Sequence, residues 1–335
     1  MTPMSRNARR LVAIAAALLL PAVALAQPKV VLKLNLGTPP GNPYNVGAEA
    51  FKKEVEAGTQ GAVQVQIFPT AQLGGETESA KNVQLGTLEA TIVSTSNLAS
   101  FNDKLAAFSV PYMFKSVSCS FPVVDGPVGQ EMADTLLKSA RIRVLGYPTF
   151  GARHLLNTKR RVLKPDDLKG LKIRVINSPV FIETFKALGA NPVGLDAAEM
   201  YLALQQKTID GADNAAVDII NNKLNEVSKF FSLTSHIVDF FIVGMNKGLW
   251  DGFSAEEQGI FKQAMQTSMD WEWKEQPAAI KAATDKLKGS MQTNELTAAE
   301  REAFVKATAP VYQQFEATIG KDVIAEAVKA MGPAV

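Results

Sequence analysis

Two arginines stand in short β-type segments of the stretch Gly151–Asn214, and they restrict how this chain can fold. Arg153 lies in the first segment, and Arg174 lies in the second, between Ile173 and Val175. This alternation of apolar and cationic residues is typical of a half-buried strand. A guanidinium group keeps its proton, so its burial requires an anionic partner. No acidic residue occurs within six positions after Arg174. An external carboxylate or phosphate is therefore one candidate partner. The alternatives are a partly exposed arginine, or one paired with a distant Asp or Glu.

The first 26 residues have the pattern of a secretory signal peptide. Arg6, Arg9 and Arg10 precede the apolar run Leu11–Leu20, and Ala24–Ala26 resembles a cleavage site. The apolar run is short for a bilayer span, and no later segment reaches about 18 uninterrupted apolar residues. The pattern predicts a protein that is exported to the periplasm and is not embedded in the membrane.

Charge, length and cysteine content narrow the class further. Without the signal peptide, 32 Lys and Arg residues face 33 Asp and Glu residues, which argues against nucleic acid as the main partner. Cys119 is the only cysteine, so an intrachain disulfide is excluded. The 309 remaining residues exceed what one hydrophobic core usually holds. Two lobes are expected.

The order of predicted elements indicates an α/β fold. Alternating strands are predicted at Val30–Gly37, Ala62–Pro69 and Glu89–Thr95, with helical patterns between them. Such an order implies crossover connections. Further strands follow in the second half, where His236–Asn246 is apolar enough to be buried, and the C-terminal third from Ser254 is helical. Because no low-complexity linker occurs, we expect the chain to cross between the lobes more than once.

The sequence contains no recognisable catalytic or metal-binding motif. The two histidines, His154 and His236, fall in separate predicted strands, and a zinc site normally needs several spaced His or Cys ligands. Asp210, Asp213 and Asp218 do not have the spacing of a calcium-binding loop, and a solvated helix start is the simpler interpretation. No nucleophile is paired with a base. We therefore predict no enzymatic activity, no cofactor and no metal.

Several segments, in this order and spacing, resemble the solute-binding proteins of tripartite ATP-independent periplasmic (TRAP) transporters, of the dicarboxylate-binding type. The resemblance extends from about Val31 to Gln314. It depends on Ala71–Glu76, Val110–Phe114, Gly151–Val175, Phe185–Val193, Ala197–Asn214 and Asn246–Gln258.

The resemblance implies a two-lobed α/β solute-binding fold with crossing hinge strands and a long C-terminal helix that spans the lobes. Lobe I would comprise residues 27–150 and 240–279, and lobe II residues 151–239 and 280–335, with the ligand cleft between them. The partners implied are a small carboxylate ligand and the membrane subunits of a TRAP permease. A monomer is expected.

The resemblance also implies ligand-binding residues. The arginine at the position of Arg174 would form a two-pronged salt bridge with the ligand carboxylate, which suits the fork geometry of guanidinium. Arg153 would add a second cationic contact. The remaining candidates are polar or aromatic residues placed around the cleft: Asn214, Asn177, Ser96, Glu76, Asn42, Tyr44, Asp239 and Phe240.

Two departures from the family pattern affect the expected site. The family often reads D-G-Q-E-N-P where this chain reads Asp210–Ala215, so the expected turn lacks its glutamate and proline. Ala197 stands where sialic-acid-binding members carry a phenylalanine, which argues against that sugar. The alternative functions are a ligand-sensing partner of a receptor kinase, which would use the same cleft, and a periplasmic enzyme.

Overall fold

The computed structural model describes residues 28–330, so the predicted signal peptide at residues 1–26 lies outside the described residues. The strands are β1 (Val30–Leu36), β2 (Val63–Phe68), β3 (Ala90–Ser94), β4 (Ile142–Gly146), β5 (Thr149–Asn157), β6 (Lys172–Val175), β7 (Asn191–Gly194), β8 (Gly211–Ala215), β9 (Phe230–Asn246) and β10 (Gln292–Glu295). The α-helices are α1 (Pro43–Gly58), α2 (Glu76–Leu85), α3 (Val117–Val124), α4 (Pro127–Ala140), α5 (Pro179–Ala187), α6 (Met200–Gln205), α7 (Ala216–Asn221), α8 (Lys247–Asp251), α9 (Ala255–Ser290), α10 (Ala298–Ile319) and α11 (Lys321–Ala330).

The strands form one mixed sheet in the order β2-β1-β3-β9-β5-β8-β6-β7, and β4 and β10 also pair with β9. Parallel pairs lie at each end: β1 pairs with β2 and β3, and β6 pairs with β7 and β8. These parallel pairs are connected through helices, as the predicted strand and helix order requires. The predicted α/β class is confirmed.

Strand β9 is 17 residues long and belongs to both ends of the sheet. Its C-terminal part pairs antiparallel with β3, where Ala90 lies opposite Met245. Its N-terminal part pairs antiparallel with β5, where Asn157 lies opposite Phe230. Most of β9 is buried, as the apolar sequence His236–Asn246 predicts. The strand therefore connects the two parallel regions of the sheet without a linker.

Each region of the sheet has hydrophobic packing of its own. Phe51 of α1 and Phe261 of α9 are buried in a cluster with β1 and β2. Ile173 of β6 is buried in a separate cluster with Phe181 and Phe185 of α5. These are two of five separate hydrophobic clusters in the described residues, as expected for a chain too long for a single core.

The long helix α9 has a defined start and spans 36 residues. Ser254 accepts a hydrogen bond from the backbone N–H of Glu257, and the Glu257 side chain accepts one from Ser254 N–H, which together form a capping box. Pro277 lies inside α9 and Pro310 lies inside α10, so neither proline ends its helix. None of the helices within residues 28–330 combines the length and the apolar character that a bilayer crossing requires.

Two predictions about the segment Asp210–Asp218 are wrong. The expected turn is strand β8, which pairs with β5 and β6. Asp213 is fully buried and Asp218 is 8% exposed, so these residues are not a solvated helix start. The reason is close packing: a Cβ atom at Gly211 would lie 2.4 Å from the carbonyl oxygen of Leu156. The small residues of this segment therefore place it inside the sheet.

Candidate functional site

Arg174 is buried on β6 without an ionic partner. Its side chain is 4% exposed. Its Nε donates a hydrogen bond to the carbonyl oxygen of Leu195 at 2.9 Å. Within residues 28–330, no carboxylate forms an ion pair with Arg174 and no acceptor is hydrogen-bonded to its terminal nitrogens Nη1 and Nη2. A carbonyl oxygen satisfies one N–H but does not neutralise the charge. The guanidinium therefore retains unused donors and has no carboxylate in direct contact with it.

A cavity of about 260 Å³ adjoins Arg174. Its lining comes from both ends of the sheet, because Thr77 of α2 and Asn97 after β3 line it together with residues within and after β6 and β7. The second group consists of Arg174, Asn177, Gly194, Leu195, Asp196, Ala197 and Glu199. A liquid water molecule occupies about 30 Å³, so the cavity of about 260 Å³ has the volume of about nine waters and suits a small organic acid. Two surface grooves are larger, at about 310 and 350 Å³. The charged residues that line them are all exposed, so neither groove contains a buried charge.

Glu76 supports one wall of this cavity. Its Oε2 atom accepts hydrogen bonds from the backbone N–H of Ser94 and from the side-chain amide of Asn97, both at 2.7 Å. Burial raises the pKa of Glu76 to about 7, because the hydrogen bonds offset only part of the cost of removing a carboxylate from water. Glu76 thus fixes the position of Asn97, which lines the cavity.

The two sides of the cleft touch at Gly75 and Asp196. A Cβ atom at Gly75 would lie 2.1 Å from the Oδ2 atom of Asp196. Glycine is thus required for this close approach, which places the N-terminus of α2 against the segment after β7. Gly75 is also the N-cap of α2.

Arg153 is equally buried but is fully compensated. It is 3% exposed on β5. Its Nε forms a close ion pair with Asp213, its Nη1 lies 3.1 Å from Asp239 Oδ2, and its Nη2 donates to the carbonyl oxygen of Asp213. Two carboxylates therefore hold this guanidinium, and it has no charge left for a ligand. The expected second cationic contact is, in this structure, part of an internal ion-pair cluster.

The pKa shifts of these groups follow from the two environments. Burial lowers the pKa of Arg174. Burial also opposes the charge on Arg153, but Asp213 and Asp239 raise its pKa above the ordinary value. Burial disfavours the ionised form of Asp213, yet the neighbouring Arg153 holds its pKa well below the usual range. Burial raises the pKa of Asp239 to about 6 despite Arg153. Asp213, Glu76 and Asp196 favour the charge of Arg174 without forming an ion pair with it.

Ser96 and Asp239 belong to the Arg153 cluster. The hydroxyl groups of Ser94 and Ser96 donate to Asp239 Oδ1 at 3.1 and 3.3 Å. Ser96 is 1% exposed, and it is Asn97, the next residue along the chain, that reaches the cavity.

Three more candidates lie in buried positions away from the cavity lining. Asn42 caps α1 and donates a hydrogen bond to Asp218 at 3.1 Å, which connects the two sides of the sheet. Tyr44 stacks on Phe150 with ring centroids 3.6 Å apart. Asn214 accepts a hydrogen bond from the backbone N–H of Ala215.

Phe240 is a core residue and not part of the candidate site. Its side chain is fully buried in a hydrophobic cluster, in edge contact with Phe108 and Phe114. Side chains alternate along a strand, so Asp239 and Phe240 point to opposite faces of β9. Phe240 lies on the apolar face of this strand, and Asp239 lies on the opposite face, in the ion-pair cluster with Arg153.

The structure thus brings together Arg174, Asn177 and the support residue Glu76, and it separates the other seven candidates from the cavity lining. Sequence reasoning missed Thr77, Asp196 and the ion-pair role of Asp213. The last of these had no clear sequence signal, because Gly211–Ala215 lacks the apolar alternation of a strand. Among residues 28–330, no cluster of His, Cys, Asp and Glu side chains is arranged to hold a metal ion.

Comparison with known proteins agrees with this geometry. Residues 35–318 match the family described as bacterial extracellular solute-binding protein, family 7. A solute-binding protein of Verminephrobacter eiseniae is 34% identical over 95% of this chain and 94% of its own length. The sugar acid binding protein of Advenella mimigardefordensis, solved with galactonate, has a TM-score of 0.87 and 27% identity over 90% of this chain and 97% of that chain. A TRAP periplasmic solute-binding protein of Sulfurospirillum deleyianum, solved with succinate, has a TM-score of 0.85 and 32% identity over 91% and 99% of the two chains. The two-lobed α/β fold is therefore established, and this chain belongs to family 7 of the bacterial extracellular solute-binding proteins.

Proposed function

We propose that this chain is a periplasmic receptor that captures a small carboxylate at Arg174 and delivers it to a TRAP permease. The observation that carries the proposal is the environment of Arg174, which is 4% exposed and, in the described part of the chain, is hydrogen-bonded only to the Leu195 carbonyl. A carboxylate at the two free terminal nitrogens would form the bidentate, charge-assisted pair that guanidinium favours. The buried charge would then be balanced by the ligand.

The energetic demand on such a site is modest. A micromolar dissociation constant corresponds to about 8 kcal/mol. The charged pair and the cavity's polar side chains would contribute to this, less the cost of association and of ordering side chains. Because the cavity lining comes from both lobes, ligand contacts would favour the form in which the lobes are together. The contact between Gly75 and Asp196 would be part of that form.

The similar proteins support the ligand class and the location. The two solved structures named above were determined with galactonate and with succinate, which are both carboxylates. Export through the segment 1–26, release to permease subunits and action as a monomer are parts of the proposal that come from the family and the sequence. Lobe boundaries at residues 150, 239 and 279 are likewise proposed, and the strand pairing of β9 agrees with a change of lobe within that strand.

The test is a thermal-shift screen of carboxylic acids on the mature protein and on two matched variants. Arg174→Met removes the buried cation and retains an unbranched side chain. Lys172→Met removes an exposed cation from the same strand. We expect the wild type and Lys172→Met to be stabilised by the same acids, by about 2.7 kcal/mol at a ligand concentration 100 times the dissociation constant. Arg174→Met should show no shift, and a shift equal to that of the wild type would contradict the assignment. Mass spectrometry of molecules that copurify with the protein would identify the natural ligand.

A further inference from the structure

The cavity beside Arg174 contains more negative than positive side chains. Arg174 is the one cation in its lining, whereas Asp196 and Glu199 both contribute carboxylates. Glu76 adds a third carboxylate behind Asn97. Within the described part of the chain, none of these three carboxylates forms an ion pair with Lys or Arg. A ligand therefore meets one positive group and two carboxylates, with the partly ionised Glu76 behind Asn97.

Among residues 28–330, no second cation lines this cavity. Arg153 is the other buried arginine in this part of the sheet, and it is held by Asp213 and Asp239. A ligand with two carboxylates would place one of them at Arg174. The other carboxylate would lie among acidic side chains without a positive partner, and neighbouring like charges repel each other.

The other polar groups of the lining suit hydroxyl groups. Asn97 and Asn177 carry amide groups, which both donate and accept hydrogen bonds, and Thr77 carries a hydroxyl. Asp196 is half-buried in direct contact with Gly75, and an ionised carboxylate only accepts hydrogen bonds. A hydroxyl group can donate to such an acceptor, and a second carboxylate at neutral pH cannot.

We propose that the cavity selects monocarboxylates whose remaining substituents are hydroxyl groups, and that it discriminates against dicarboxylates of the same length. This inference depends on the proposed function, because it assigns the single carboxylate to Arg174. It specifies the ligand as a polyhydroxylated monoanion.

Titration calorimetry with matched pairs of acids tests the inference on the mature protein. Galactonate and galactarate share one carbon skeleton and differ in whether the far end is a hydroxymethyl group or a carboxylate. Erythronate and meso-tartrate form the same comparison with four carbons, and butanoate has one carboxylate but no hydroxyl groups. We expect at least one hydroxylated monocarboxylate to bind at least tenfold more tightly than its dicarboxylate partner and than butanoate. Equal or tighter binding of the dicarboxylates overturns the inference, as does the absence of binding by all five acids.

A charge variant tests the cause of the selectivity. Asp196→Asn keeps the shape of the side chain and removes one negative charge from the lining. We expect it to reduce the preference for galactonate over galactarate several-fold. Asp166→Asn removes an exposed carboxylate outside the cavity lining and should leave the preference unchanged. An unchanged preference in Asp196→Asn would overturn the electrostatic explanation.

The two proposals fail in different ways. If acids bind through Arg174 but galactarate equals galactonate, the receptor function stands and the ligand class is wrong. If Arg174→Met binds acids as well as the wild type does, the receptor site itself is wrong.

Discussion

Arg153 and Arg174 are two arginines of one sheet, with 3% and 4% of their surface exposed, and their surroundings are opposite. Arg153 is held by two carboxylates of the same chain, Asp213 and Asp239. Arg174 is held by one backbone carbonyl and faces a cavity. Burial of a charge without compensation lowers stability, which is why we propose an external partner for Arg174 and none for Arg153. The degree of burial is therefore the same for the two arginines. Their ion-pair and hydrogen-bond partners distinguish the structural arginine from the proposed ligand-binding one.

The largest expected effect concerns the compensated arginine. Arg153→Met should lower the free energy of unfolding by about 5 kcal/mol, because removal of one partner leaves a buried charge uncompensated and here two carboxylates remain. Chemical denaturation of the ligand-free protein measures this loss. Arg160→Met, which removes an exposed arginine of the same half, should cost less than about 0.5 kcal/mol. A loss of similar size in both variants would show that Asp213 and Asp239 do not depend on Arg153.

The next effect in size is on stability and its pH dependence, which should differ between Asp213 and Asp239, the two carboxylates that contact Arg153. The pKa of Asp213 is depressed, so its stabilising contribution is present above its unfolded pKa of about 3.9 and is lost only as the pH falls through its folded pKa. The pKa of Asp239 is raised to about 6, so its contribution is present at low pH and is lost as the pH rises through 6. Asp213→Asn should therefore cost about 3 kcal/mol at both pH 5 and pH 7.

Asp239→Asn should behave differently with pH. Relative to the wild type, the variant should be more stable at pH 7 than it is at pH 5, by about 1 kcal/mol. The reason is that the wild type loses stability in this range as Asp239 ionises, and the asparagine does not titrate. Denaturation curves at the two pH values provide the comparison. The opposite order, with Asp239→Asn more costly at pH 7, would mean that Asp239 is an ionised partner of Arg153 in the same sense as Asp213.

The smallest effect has the opposite sign to the first. Arg174→Met should leave the unfolding free energy of the ligand-free protein unchanged or raise it by about 1 kcal/mol, because an apolar side chain of similar length replaces an unpaired buried charge. The measurement is denaturation of protein from which ligand has been removed by extensive dialysis. A loss of several kcal/mol would show that Arg174 is structural, like Arg153, and the contrast between the two residues would disappear.

The sequence predicted the fold more completely than the site. Strands β1, β2, β3 and β9 have clear apolar patterns, and the capping residues of α9 mark its start. Strand β8 was missed because Gly211–Ala215 has few apolar side chains, and its burial depends on close packing against β5. The family resemblance indicated both arginines, but alternation along a strand does not reveal which carboxylates fold against which arginine. Asp213 lies 60 positions from Arg153 in the sequence, and only the sheet order places them together.

Strand β9 has a consequence for how proteins of this architecture diversify. A single polypeptide segment supplies backbone hydrogen bonds to β3 at one end and to β5 at the other. Neither lobe can be removed or exchanged without cutting β9, which also pairs with a strand of the other lobe. Recombination of whole lobes would therefore yield two incomplete sheets. A change of specificity in this architecture is therefore expected to come from individual side chains along the rim of the cleft and not from the exchange of whole lobes.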